Sequence, residues 1–348
     1  MKGKSKKKSA RRNRWLIAAG IMLIVVLSVF VVFKKYMVDS FTENSFTLYI
    51  YPQTTHQQVL DFIESKVDRP TYLRFRRLAR LDHLDQKLHP GAYRLDPSMS
   101  AVEVYKIISR GLQTPIHFSF NNIRTLQQLQ ARIDKQLMMD SLQVAAMFQD
   151  TARIHQAGFT SDNFASMFLP DTYDMYWTIT PDDFLAKMHA QYERFWNEER
   201  REKAQLLGYT PNEISILASI AEEETNDKQE RGEVARLYMN RLAIGMPLQA
   251  DPTVKFALQD FSIRRIVGKH LLVDSPYNTY KYAGLPPGPI RIPTKQTIDT
   301  ILDSQPHDYI YMCAKEDFSG RHNFAVTFSQ HCANAVKYRR ALDARGIE

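Results

Sequence analysis

"WLIAAGIMLIVVLSVFVVF", Trp15 to Phe33, is a run of 19 residues without a charge. As a helix rising 1.5 Å per residue it would be roughly 28 Å long, close to the ~30 Å hydrocarbon thickness of a bilayer. No other stretch constrains the chain as much, because such a run belongs either in lipid or at the centre of a large domain. Its flanks favour lipid. Residues 1–14 (MKGKSKKKSARRNR) hold five Lys, three Arg and no acid, and only Lys34 and Lys35 follow immediately. This asymmetry predicts a single membrane anchor over 15–33, with residues 1–14 as a basic cytoplasmic tail and the bulk of the chain outside. A cleaved secretory signal is the competing reading. The length of the run, and the absence of a small-x-small site in the KKYMVDSF that follows, argue against cleavage.

The tail also accounts for the net charge of +8, which at first suggests a nucleic-acid partner. Residues 15–348 hold 38 basic and 38 acidic side chains, so the remainder is neutral and the nucleic-acid reading fails. Cys313 and Cys332 match neither a zinc site nor a redox pair in spacing, and a single disulfide and two free thiols both stay open. No HExxH or Cys/His cluster suggests a metal, and no cofactor is expected.

After a linker over 34–44, "SFTLYIY" (Ser45 to Tyr51) alternates as a strand does. "TTHQQVLDFIESK" (Thr54 to Lys66) reads as a threonine-capped helix, with a second near Thr71 to Leu81. "HPGAYRL" turns into a strand, "SMSAVEVYKIISRG" (Ser98 to Gly111) is a helix between serine and glycine, and "TPIHFSF" returns as a strand. This βαα-βα-β stretch, 45–118, is expected to form one small module without a catalytic constellation, suited to binding or to spacing. Over 119–348 the pattern is mainly helical with short strands, which makes the chain α+β. Two helices are expected from Leu126 to about Asp150, and one long amphipathic helix from Phe184 to Gln205. "FASMFLPDTYDMYW" (Phe164 to Trp177) is dense in aromatics, suiting either a core or platforms for sugar rings.

Candidate chemistry begins at "TPNEISILASIAEEET", Thr210 to Thr225. Threonine, a first-turn proline and Glu213 form a capping box, and Ile214, Ile216, Leu217, Ile220 and Ala221 make one apolar face. At roughly 100° per residue, Glu224 falls within about 10–20° of the centre of that face, Glu223 about 110° away, and Glu222 almost opposite. Glu222 and Glu223 are therefore expected in solvent and Glu224 in the interior. A carboxyl group held against apolar surroundings keeps its proton to higher pH and can donate it near neutrality. The structural alternative is a buried ion pair with Arg231, Arg236 or Arg241. "QERGEVARLYMNRLAIGMPLQADPTVKF" continues as a second helix, stopped near Gly245 and followed by a loop carrying Gln249, Asp251 and Thr253. "DSPYNTYKYAGLPPGPIRIP" (Asp274 to Pro293), rich in Tyr, Gly and Pro, is expected to be a stiff, shaped loop.

Together "ILASIAEEET", "ERGEVARLYMNRLAIGMPLQADPTV" and "SPYNTYKYAGLPPGPI" resemble, in that order, the MltG-type (YceG-like) endolytic murein transglycosylases. The amino-terminal span, "GAYRL" and "LPDTYDMYW" match as well. The resemblance implies a LysM-like module over 45–118 and a catalytic domain over 119–348 on the extracytoplasmic (periplasmic) side of the bacterial inner membrane. It implies glycan strands of peptidoglycan as substrate and penicillin-binding proteins among the partners. In the family's E-x-E-T motif the catalytic glutamate precedes threonine, which here is Glu224. Gln249, Asp251, Tyr277 and Asn278 become candidates for contacting sugar or holding Glu224. "EDFSGRHNFAVTFSQHCANAVKY" follows the family's G-x-H-x-F pattern only loosely, and His322 and His331 receive no role. A hydrolytic muramidase, which needs a second carboxylate, and a non-catalytic wall-binding scaffold are the rival readings.

Overall fold

The computed structural model describes residues 3–346, so the first two residues of the basic tail and the last two of the chain lie outside the described residues. Helix α1 runs unbroken over Gly3–Met37, and its stretch Arg14–Met37 is long and apolar enough to cross a membrane. The apolar side chains from Trp15 to Phe33 are exposed, which in water would be untenable and in lipid is the ordinary condition of a spanning helix. The helix is longer than the uncharged run, because its Lys and Arg residues are themselves good helix formers.

The described chain forms two compact units, one of residues 3–117, α1 included, with 174–178, the other of 118–173 with 179–346. In the first, β1 (Phe46–Ile50) pairs antiparallel with β2 (Gly91–Leu95), Phe46 opposite Leu95 and Ile50 opposite Gly91. Helices α2 (His56–Glu64), α3 (Arg69–Leu81) and α4 (Ala101–Ser109) complete it. Thr55 and Ser100 close capping boxes and Asp68 caps α3, so each helix start is satisfied by the residue at its own N-cap. Leu48, Ile50, Val59, Ile63, Phe75, Tyr93, Val104 and Ile108 form the core. Strand β3 (Ile116–Phe120) does not join β1 and β2; it pairs with β4 (Asp171–Met175), and the division between the units runs through these two strands. Residues 174–178 belong with the first unit because Trp177 packs edge-on against Tyr49 and Tyr51, at 4.9 and 4.7 Å between ring centroids. Of the aromatic stretch, Phe164, Phe168, Tyr173 and Trp177 are buried and Tyr176 is exposed, so it is chiefly core.

The second unit contains α5 (Leu126–Gln136), α6 (Ser141–Gln149), α7 (Thr151–Gln156), α8 (Pro181–Phe195), α9 (Glu198–Leu206) and α10 (Pro211–Glu224). Then come α11 (Arg231–Ala243), α12 (Asp251–Leu258), α13 (Lys295–Leu302), the antiparallel pair β5 (Tyr311–Ala314) and β6 (His322–Ala325), and α14 (Phe328–Asp343). The long helix expected from Phe184 to Gln205 is two helices. Asn197 takes extended angles and its side chain accepts from the Arg200 N–H, which starts α9 afresh. Trp196, at the break, is buried. Cys313 on β5 and Cys332 on α14 are free thiols.

At the centre of this unit lies α10. Thr210 and Glu213 form the reciprocal capping box, and every residue from Ile214 to Glu222 is buried. Its four large aliphatic side chains, Ile214, Ile216, Leu217 and Ile220, each contribute roughly 1.5–3 kcal/mol by leaving water.

Candidate active site

The three glutamates sit at the carboxyl end of α10, where the helix dipole opposes negative charge. The structure resolves that conflict differently at each. Glu222 is 4% exposed rather than solvated. Its Oε1 accepts from the Thr294 N–H (2.9 Å), the Thr294 and Thr297 hydroxyls (2.5 Å each) and Arg231 Nη1 (3.2 Å). Its Oε2 pairs with Arg291 at 3.1 Å. Glu223 is half-buried, held in a two-pronged pair by Arg124 (2.9 Å twice) and by Arg291 Nη1 at 2.8 Å. The expectation that both face solvent is therefore corrected. A helical wheel finds the most apolar face, but α10 is enclosed on every side, and its polar face meets arginines instead of water.

Glu224 is half-buried, as the wheel placed it, and none of the three candidate arginines pairs with it. Arg231 serves Glu222 and Thr297, Arg236 serves Ser304, and Arg241 donates to the carbonyls of Ile310 and Leu248. The partner of Glu224 is Tyr238 of α11, a fully buried phenol that donates to Oε1 at 2.8 Å. Burial pushes the Glu224 carboxyl up to about 7; the Tyr238 hydrogen bond, His322 and Lys255 pull it down, and Asp251 raises it. Desolvation dominates, so near neutral pH the group exists in both protonation states and can give or take a proton.

Asp251, expected in a loop, is the first residue of α12, which has no side-chain cap. The stiff loop instead fastens the two residues just ahead of the helix. The Gln249 N–H donates to Thr279 O (3.1 Å) and the Ala250 N–H to the Thr279 hydroxyl (3.0 Å). The buried Thr253 hydroxyl donates to Ala250 O (2.7 Å) and stands 2.8 Å from that of Thr279. With one proton committed to Ala250, Thr253 is the acceptor between the two. Next in the loop, the Tyr280 hydroxyl donates to Asp251 Oδ1 at 2.6 Å, and burial together with this carboxylate pushes the phenol up.

The other candidates have distinct surroundings. Gln249 adopts left-handed backbone (φ 49°) and its side chain is exposed. Asn278 is wholly buried; its Nδ2 donates to Leu271 O and Val273 O (2.9 and 2.8 Å) and its Oδ1 accepts from the Tyr280 N–H (3.1 Å). Its amide thus shapes the loop that presents Tyr280. Tyr277 packs on Phe256 at 4.7 Å and donates to Asp162 O at 3.4 Å. Beside it, a Cβ on Gly288 would come within 1.8 Å of Asp162 O, so only glycine permits this approach. Ile290 N–H then donates to the buried Ser219 hydroxyl of α10 (3.0 Å), fastening the loop to the helix that carries Glu224.

The sequence assigns no role to Tyr238, Tyr280, Glu230 or His322. Tyr238 lies within a helical pattern in which a buried tyrosine reads as core, and nothing local announces its hydroxyl's partner. The G-x-H-x-F spacing around Gly320, His322 and Phe324 was the one available signal for His322.

A central buried helix ending in a carboxyl group with a near-neutral proton affinity, together with Asp251 at the start of α12 bonded to Tyr280 of the stiff loop, defines an α+β chain with a candidate acid–base site. A family model described as the YceG-like family matches residues 48–337, and the chain belongs to that family. The endolytic murein transglycosylase of Bacillus subtilis (strain 168) is 34% identical over 154 residues, covering 44% of this chain and 41% of that protein. The endolytic murein transglycosylase of Streptococcus pneumoniae serotype 2 is 26% identical over 287 residues, covering 72% of this chain and 51% of that protein. The matches thus span about half or less of the length of these relatives. A crystal structure of a yceG-like protein from Listeria monocytogenes superposes with a TM-score of 0.55 at 25% identity, covering 84% of this chain and 99% of that one.

Proposed function

We propose that the chain is a membrane-anchored endolytic lytic transglycosylase that cuts glycan strands of peptidoglycan between N-acetylmuramic acid and N-acetylglucosamine. One observation carries the reading: in a chain of this family, Glu224 is a half-buried carboxyl group pushed up to about 7, with a tyrosine rather than an arginine as its partner. Glu224 protonates the glycosidic oxygen as the bond to the muramic acid C1 breaks. The C6 hydroxyl of the same sugar attacks C1 and gives its proton back to the Glu224 carboxylate. The product is a 1,6-anhydro end, and no water is consumed. A single carboxyl group acts as acid and then as base, where hydrolytic glycosidases use two.

Asp251, oriented by Tyr280, and the exposed side chain of Gln249 are the groups we assign to holding the sugar, with Tyr277 and Asn278 shaping the loop between them. Residues 45–118, nearly all of them in the first unit, serve as the LysM-like module that holds the strand. The basic tail sets the amino terminus in the cytoplasm and the chain beyond the span on the extracytoplasmic side, where penicillin-binding proteins building the strand are the partners, on the resemblance alone. Because Asp251 acts electrostatically on Glu224, a hydrolytic muramidase with Asp251 activating water is the second reading. Mass spectrometry of glycan digested by the full chain separates them. Lytic cleavage gives fragments whose masses sum to that of the parent strand; fragments heavier by one water contradict it.

A further inference from the structure

Helix α3, RPTYLRFRRLARL, holds five arginines and no acid, and neither the reaction nor the packing of the fold accounts for them. Its buried face, Thr71, Tyr72, Phe75 and Ala79, looks into the first unit. At roughly 100° per residue the opposite face covers an arc of about 140°. Around that arc come Arg76, Arg69, Arg80, Leu73, Arg77 and Leu81, all exposed. Arg69 is paired with Glu64, and Arg74, nearer the core, donates to the Thr71 hydroxyl at 2.6 Å. Among the described residues no carboxylate lies within ion-pair distance of Arg76, Arg77 or Arg80. Arg80 stands four positions from Arg76 and three from Arg77, spacings at which like charges repel and weaken a helix. The cluster therefore costs the isolated fold something and is relieved by an anion.

The membrane span fixes what this face meets. Helix α1 ends at Met37, and by Phe41 the chain is already fastened to the first unit. Ser40 bridges Ser100, the Phe41 N–H donates to Met99 O (2.7 Å), and the Phe41 ring packs on Phe75, on the buried side of α3, at 5.7 Å. Arg77 Nη1 donates to the Tyr36 hydroxyl at 3.4 Å. Tyr36 stands about 5 Å of helical rise past Phe33, the last residue of the uncharged run, and helical side chains lean toward the amino terminus, here back toward the bilayer. The headgroup layer reaches roughly 5–8 Å beyond the hydrocarbon. Arg77 thus lies at the depth of the lipid phosphates, as do Lys34 and Lys35. We propose that the Arg76, Arg77 and Arg80 face of α3 docks on the phosphate groups of anionic lipids in the leaflet at the carboxyl end of α1, holding the first unit against the bilayer. The inference rests on the membrane-anchored reading of α1 and not on the cleavage reaction. Guanidinium forks match phosphate in charge and geometry, and Leu73, 45% exposed amid the arginines, supplies the apolar contact an interfacial helix makes. The span makes docking intramolecular, so a modest attraction per arginine suffices.

The test uses the full chain in lipid nanodiscs of phosphatidylcholine alone or mixed with phosphatidylglycerol. An environment-sensitive dye is attached at Leu73→Cys after Cys313→Ser and Cys332→Ser remove the native thiols. In anionic discs the emission is expected to lie further to the blue, and to be quenched more by spin-labelled headgroups, than in neutral discs. High salt is expected to erase the difference, because counter-ions screen the attraction. Arg76→Gln, Arg77→Gln and Arg80→Gln together are expected to weaken docking roughly a hundredfold, about fivefold for each arginine, and to erase it as well. Equal signals in the two kinds of disc overturn the proposal, as does an anionic-disc signal that the triple variant retains with an unchanged circular dichroism spectrum. A response to added glycan strands with none to anionic lipid also overturns it and gives the face to the wall polymer. A chain that fails to float with vesicles after alkaline carbonate removes the anchored reading, and this proposal with it.

Discussion

At the scale of single residues, three adjacent glutamates show how position decides chemistry. Glu222 and Glu223 are neutralised by Arg231, Arg291 and Arg124, whereas Glu224 meets a phenol and keeps its proton to higher pH. This has a consequence for stability. In the unfolded chain Glu224 loses its proton near 4.5, in the folded chain near 7. Between those values the folded state binds more protons, so stability declines as pH rises through the window and is level on either side. The displacement corresponds to about 3 kcal/mol. Glu224→Gln, which preserves an acceptor for Tyr238, should therefore be more stable than the wild type at pH 8 by about 2–3 kcal/mol and nearly equal to it below pH 4.5. Denaturant titrations at the two pH values measure it; equal stability at pH 8 would mean that the carboxylate is well solvated. The inward aim of Glu224 was legible from helical periodicity because it depends only on angle along one helix. What Glu222 and Glu223 face was not, since their arginines lie far off in the sequence.

At the scale of elements, starts of helices were readable where a local cap marks them and unreadable where none does. Thr55, Ser100 and Thr210 each close a capping box with a residue three positions on, and the corresponding helices follow from the sequence. Helix α12 begins at Asp251 without such a signal: no side chain caps it, and Thr279 holds only the Gln249 and Ala250 N–H groups just ahead of it. The break at Trp196 and Asn197 was hidden by a charge pattern that continues across it. The loop 274–293 is rigid for reasons its composition suggested, but its attachment to Ser219, Thr253 and Asp162 required the fold. The acid end of α10 depends on the same long-range ties. Glu222→Ala would leave Arg231 without its carboxylate and Arg291 with only Glu223, and should cost about 3–5 kcal/mol of stability, the scale of breaking a buried ion pair. Chemical denaturation checks this; a loss under 1 kcal/mol would show that the network is dispensable.

At the scale of the whole molecule, charge and hydropathy separate an anchor from a neutral remainder, and the sequence shows this plainly because neither property depends on tertiary structure. The pairing of β3 with β4 instead of with β1 and β2 was not visible, because strand periodicity does not name a partner. Topology can be tested through a thiol: Cys332 is exposed on α14 and should react with a membrane-impermeant maleimide added to intact spheroplasts, whereas labelling only after lysis would reverse the orientation. The central claim is that one carboxyl group both breaks and closes the bond. Its most direct measurement is the rate of anhydro-end formation on purified glycan strands by the wild-type chain and by Glu224→Gln. The account predicts anhydro ends from the wild type and a loss of at least about a hundredfold in the variant; wild-type rates from Glu224→Gln would contradict it.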